Sequence, residues 1–190
     1  MSARVTPIVT WAGGKTKLLP ELLSRIPPLA PGARYFEPCA GGAALFFALA
    51  SRRSGDVDGR PMGRSRSTAH PDAIWAVLGD ANPDLVATYD AVRRDVDAVC
   101  VHLARHVRAH SKSYYLELRD RWNAHPADDW FVAERAAALL YLNKSCFNGL
   151  WRVNSSGAMN TPFGTGRPVT FDLENLRAAA IALQGVELRP

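Results

Sequence analysis

Near the amino terminus, Trp11, Gly13, Gly14 and Lys15 stand together in the stretch "TWAGGKTKLL". Two glycines beside a lysine suggest a phosphate loop, in which backbone N–H groups curl around a phosphate and the lysine neutralises it. Such a loop needs another glycine six positions before the lysine, and Val9 occupies that place. The run "RVTPIV" leading in also holds Pro7, which lacks the N–H an interior strand must donate. A triphosphate site is therefore not indicated. A bulky aromatic, a flexible turn and one fixed cation suit a small zwitterionic ligand with a flat ring. The bland alternative is a glycine turn opening the helix "KTKLLPELLSRI".

A second stretch, "ARYFEPCAGGAALFFALA", changes character midway. A β-prone run ends at Glu37, a turn carries Gly41 and Gly42, and a helix begins at about Ala43. Strand, glycine turn and helix together let a backbone approach a ligand closely while the helix start offers unpaired N–H groups. Further on, "AIWAVLGDAN" reads as a buried strand ending in Asp80. In a Rossmann-like sheet, an acid closing the second strand accepts hydrogen bonds from ribose hydroxyls, normally about 20 residues beyond the glycines. Gly42 and Asp80 are farther apart than that, and an arginine-rich stretch between them accounts for the excess. Adenosine with a short charged tail fits this set: ribose on Asp80, tail over the glycine turn, carboxylate near Lys15.

Other reactive residue types point to less. His102, His106 and His110 recur at helical spacing, but no nearby carboxylate or second motif joins them, so the expectation is a polar helix face and no metal site. Cys39, Cys100 and Cys146 are odd in number and far apart, which indicates reduced thiols and neither a disulfide framework nor a zinc site.

The elements that must position these residues sit in a chain of 190 residues, enough for one domain with a real core. Apolar content of 47% and charged content of 22% are those of a soluble globular protein, and no apolar run approaches the ~20 residues of a membrane span. The expected location is cytoplasmic. The net charge of +5, with 19 of 23 basic residues arginine, permits a polyanionic partner. Residues 51–72, rich in Gly, Ser, Pro and Arg, read as a surface loop. From Pro83 to about Phe147 the pattern is helical, Pro126 separating the last two segments. "RVNSSGAMN" reads as a β-hairpin, "TFDLENLRAAAIALQG" as a helix with Asp172 at its N-cap, and "VELRP" as the start of another strand.

Taken in order, "WAGGK", "EPCAGGAALFF", "GDANPDL" and "LNKSCFNGLWRVNSSGAMNTPFG" resemble the adenine-specific DNA methyltransferases of the Dam-like group, over nearly the whole chain except the 51–72 loop. The resemblance implies an α/β fold, a Rossmann-like sheet with an inserted target-recognition region of helices and a hairpin. Residues 1–82 would form the cofactor-binding part, 83–168 the recognition region, and 169–190 the return to the first domain. It implies S-adenosylmethionine as cofactor, with Trp11, Lys15 and Asp80 at contacting positions and Glu37 to Gly42, including Gly41, as the methionine-side loop. It implies double-stranded DNA as partner. Phe147 matches an aromatic that wedges beside a flipped base, Asn148 and Arg152 match base or backbone contacts, and Asn154 joins them. Those residue types agree with how side chains read base edges and fill an emptied stack.

The same family holds the adenine amine with an Asp-Pro-Pro-Tyr motif, and these 190 residues contain none, so no catalytic residue is assigned. In this motif order it would follow a strand like "VELRP". The expectation is an incomplete sheet and a chain inactive alone, through truncation or because a second chain supplies the missing half. A non-catalytic DNA-binding module and a different adenosine-binding enzyme are the rival readings.

Overall fold

The computed structural model describes residues 5–27, 30, 32–53 and 74–190, so most of the expected surface loop falls outside the described residues. Three short strands, β1 (Tyr35–Glu37), β2 (Ala76–Gly79) and β3 (Val186–Arg189), form a parallel sheet in the order β1-β2-β3. The strand β2, which has a partner on each side, is the most buried, with Ala76 and Leu78 almost wholly enclosed. Parallel strands covered on both faces are built from such continuous apolar runs.

Among the described residues, six helices connect and cover the strands: α1 (Leu19–Arg25), α2 (Ala44–Arg53), α3 (Pro83–Arg108), α4 (Lys112–Ala124), α5 (Val132–Ser145) and α6 (Leu173–Ala182). Their starts are set by local chemistry. The Asn82 side chain accepts from the N–H groups of Asp84 and Leu85, with Pro83 in the first turn where its missing donor costs nothing. Ser111 caps α4 through the Tyr114 N–H, and Asp172 caps α6 through the Asn175 N–H, as its sequence position indicates. The long helix α3 is bent at Asp95, where φ −152° and ψ 75° leave the helical region. There the Asp95 carboxylate accepts from the Ala98 N–H, as an N-cap does, so the second half restarts. The polar periodicity reads through that break as one helix.

A main core joins the sheet to α2–α6, with Phe46 and Phe47 of α2, Leu78 of β2, Leu85 and Tyr89 of α3, Leu139 to Leu142 of α5 and Ala179 of α6, and a smaller cluster of Leu19, Leu23, Ala44, Ala48 and Leu49 seats α1 on the other face of α2. The helix α3 packs most extensively on α5 and then on α6. No described helix is long and apolar enough to cross a membrane.

One local expectation changes. His106 does not belong to a solvated polar face; it is buried, its Nδ1 is 2.6 Å from the Tyr114 hydroxyl, and it stacks on Tyr141. His110 is also drawn inward, bonding the Tyr141 hydroxyl at 2.9 Å and the Arg167 carbonyl at 3.1 Å. The hairpin expected at 152–160 is present: its two short arms are joined by the antiparallel bridge Val153 with Met159 and by backbone bonds from the Asn154 N–H to the Ala158 carbonyl at 2.9 Å and from the Asn160 N–H to the Arg152 carbonyl at 3.0 Å. Side chains complete it. The Asn154 carbonyl oxygen accepts from the N–H groups of Ser156 and Ala158 and from the Ser156 hydroxyl.

Candidate functional site

The carboxyl ends of β1 and β2 open into a cavity of about 170 Å³ lined by Trp11, Lys15, Glu37, Gly41, Gly42 and Asp80, together with Cys39. This is where open α/β sheets place ligands, in the crevice beyond the strand ends. All six residues expected to hold a cofactor thus share one wall.

Asp80 follows the last residue of β2 and clamps the glycine turn to the sheet. Its Oδ2 accepts from the Gly41 N–H at 2.9 Å and its Oδ1 from the Asn82 N–H at 2.9 Å. The other side of Gly41 is fixed from α3, because the buried Tyr89 hydroxyl donates to its carbonyl at 2.6 Å. Gly41 has φ +50°, and a Cβ there would lie 3.0 Å from Cδ1 of Trp11. Glycine is thus required twice, by the left-handed backbone and by the indole against it.

Glu37, the final residue of β1, is buried among its partners. It accepts from the Tyr35 hydroxyl at 2.9 Å, and the Lys15 ammonium lies 4.0 Å away. Burial pushes its carboxyl above the ordinary range, against the opposing pull of the Tyr35 hydroxyl, the Lys15 charge and the Phe46 N–H at the start of α2. The cavity therefore combines a cation, two carboxyl groups and an indole, a set that suits a ligand carrying both charges and a ring. Its size is below the ~300 Å³ of sites that enclose a whole drug-sized ligand, so it takes part of such a molecule and leaves the rest at its open mouth.

The expected DNA-contacting residues lie on the neighbouring segment. Phe147, Asn148 and Gly149 form a single tight turn after α5, Asn148 at φ +55° and Gly149 at φ +65°. Phe147 is 49% exposed, which removes core packing as its role. Asn148 is exposed too. Arg152 donates from its backbone to the Thr161 hydroxyl and from Nε to Asn160 Oδ1, so one of the five donors of its guanidinium is engaged there. Asn154 uses its carbonyl oxygen within the turn. A second cavity, about 380 Å³, lies under this segment between Thr10, Asn143, Asn148 and the run 164–169.

Three residues in the organisation of the site carry no expectation from the sequence. Tyr89 holds the glycine turn. Asn143, buried in α5, accepts from the Thr10 N–H and donates to the carbonyls of Thr10 and Gly149. Trp151 stacks on Trp11 with ring centroids 6.2 Å apart and planes 18° apart. Asn143 and Trp151 both lie in the motif "LNKSCFNGLWRVN", so the signal was there, but a buried amide in a helix looks the same in sequence as any polar helix residue.

The family described as D12 class N6 adenine-specific DNA methyltransferase matches residues 11–59 and 65–188. The chain is 31% identical over 196 residues to the type II methyltransferase M.MjaIII of Methanocaldococcus jannaschii, covering 97% of this chain and 61% of that protein. It is 34% identical over 158 residues to the type II methyltransferase M1.LlaDCHI of Lactococcus lactis subsp. cremoris, covering 83% and 47%. It is 30% identical over 174 residues to the DNA adenine methylase of Haemophilus influenzae, covering 90% and 51%. The chain therefore spans between about half and three fifths of the length of these relatives.

Proposed function

Because the chain belongs to the D12 class N6 adenine-specific DNA methyltransferases, we propose that its cavity receives S-adenosylmethionine and that the 147–160 segment meets double-stranded DNA, in an enzyme that methylates adenine at N6. The observation that carries this reading is the convergence of six residues from three distant stretches on one cavity beyond the strand ends. When bound, S-adenosylmethionine supplies the methyl group as an activated sulfonium. The chain supplies the grip. Each Asp80 oxygen is engaged by one backbone N–H and keeps a second lone pair for a ribose hydroxyl. Lys15 offers its ammonium to the carboxylate of the tail, Glu37 and the turn at Gly41 and Gly42 take the amino-acid end, and Trp11 offers a ring face.

Modifying a base amine requires the base to leave the stack. Phe147, exposed at the tip of a rigid turn, fits an aromatic wedge for the gap, and Asn148, Arg152 and Asn154 supply donors for base edges and phosphates. In this reading residues 83–168 are the recognition region and residues 1–82 with 169–190 hold the cofactor, although one core runs through both. The excess of arginine favours a polyanionic partner, and the cytoplasm is the location such a DNA-modifying enzyme needs.

Calorimetric titration with S-adenosylmethionine tests the cofactor assignment: binding by the wild-type chain, weakened by Trp11→Ala and lost in both Asp80→Ala and Asp80→Asn, is the expected pattern. A wild-type chain that takes up none overturns it.

A further inference from the structure

Two side chains belonging to the recognition segment also build the cofactor cavity from behind. Trp11, a lining residue, is wedged between the glycine turn at Gly41 and the ring of Trp151. Trp151 in turn meets Trp122 of α4 edge to face at 5.4 Å, and the Arg135 guanidinium covers Trp122 at 3.9 Å. Offset stacks and edge-to-face pairs at these separations are attractive beyond simple burial. Meanwhile Asn143 ties the backbone of Thr10, next to Trp11, to the Gly149 carbonyl in the exposed turn. The two loops touch directly as well, since a Cβ on Gly149 would lie 2.8 Å from Thr10.

Resting on the reading of the site given above, we infer that Trp151 is a positioning residue that couples the two ligands, so that S-adenosylmethionine tightens DNA binding and DNA tightens S-adenosylmethionine binding. A ligand pressed on the cavity face of Trp11 fixes the opposite face, on which Trp151 rests. Trp151 immediately precedes Arg152, and the chain around it is pinned to the returning arm, where the Thr161 hydroxyl accepts from the Arg152 N–H and donates to the Leu150 carbonyl. The hairpin is closed by the Val153–Met159 bridge and by backbone bonds from the Asn154 N–H to Ala158 and from the Asn160 N–H to Arg152, so a displacement of Trp151 is passed to the hairpin as a unit. DNA that fixes the hairpin fixes the back of the cavity by the same contact, and such coupling is necessarily reciprocal.

The experiment measures S-adenosylmethionine affinity of the full chain by calorimetry, with and without a mixed-sequence duplex DNA at low salt, in wild type, Trp151→Phe and Trp151→Ala. The expected wild-type ratio of the two affinities is about tenfold, inside the range of ~5–150 usual for coupled sites. In Trp151→Ala the ratio falls below about twofold, and Trp151→Phe, which keeps a ring, retains an intermediate ratio. A merely structural lesion would weaken both bindings and leave the ratio standing. A ratio near one in wild type, with both ligands bound, overturns the coupling while leaving the site reading intact; a ratio undiminished in the variants overturns Trp151 as its route. Should Trp151→Ala not fold, Trp151→Phe and Trp151→Leu decide by the same ratio. Failure of the wild-type chain to bind S-adenosylmethionine at all overturns the site reading and this inference with it.

Discussion

Every polar atom of the Asn143 side chain is engaged by backbone, its oxygen by one N–H and its nitrogen by two carbonyls. Truncating it strands buried partners at a cost of about 1–3 kcal/mol each where water cannot reach them. Asn143→Ala is therefore expected to lose roughly 2–4 kcal/mol by urea denaturation, while Phe147→Ala, at a half-exposed site, changes stability by less than about 0.5 kcal/mol. Phe147→Ala should instead weaken binding to duplex DNA, measured by fluorescence anisotropy. Equal stability losses in the two variants would contradict the division between a buried tie and an exposed probe. Gly149→Ala combines a left-handed backbone with a side chain aimed at Thr10, and should cost about 1–3 kcal/mol. The glycine, acidic and aromatic residues of the cavity are legible in sequence because their types are unusual there. Tyr89, Asn143 and Trp151 are not, since their role depends on which element they face across the fold, and one sequence fixes no such pairing.

At the scale of elements, the strands ending at Glu37 and next to Asp80, the helix after the glycines, and the cap at Asp172 are all readable because each has a local physical cause. The bend in α3 is not, although its cause is equally local: Asp95 begins a new helix inside an uninterrupted apolar rhythm. Asp95→Ala removes that cap and should lower stability by about 1 kcal/mol, seen as a small drop in thermal midpoint. Raised stability would mean that the bend is imposed by packing and that Asp95 resists it. The hairpin is legible: its turn is announced by Asn154, Ser155, Ser156 and Gly157 and its arms are joined by backbone bonds, but periodicity carries no sign of the added support from the Asn154, Thr161 and Asn160 side chains.

For the molecule as a whole, a main core joining β2 and β3 with α2 to α6 implies a cooperative transition of these elements, and its pH dependence follows from His106. Burial, reinforced by His102, Arg121 and Arg105 and opposed by Glu134, lowers its pKa from 6.5 to about 4. The folded state therefore holds His106 neutral where the unfolded chain protonates it. Stability from this group is complete above pH 6.5 and falls as the pH drops toward 4, by on the order of 3 kcal/mol in total. Glu37, whose carboxyl is raised, acts in the opposite sense, losing stability as pH rises through its shifted range. The comparison of wild type with His106→Gln isolates the histidine: the variant's denaturation midpoint should depend less on pH between 4 and 6.5. Parallel profiles would exclude His106 as the source. The contact between Gly149 and Thr10 bears on how such a protein can be retuned. On the proposed function, libraries that alter which bases are favoured have open ground at Ser155, exposed on the hairpin turn. Bulk added one turn earlier, at Gly149, pushes on the stretch that carries Trp11, so on the same proposal a gain in discrimination there would come with a poorer hold on the ligand of the Trp11 cavity.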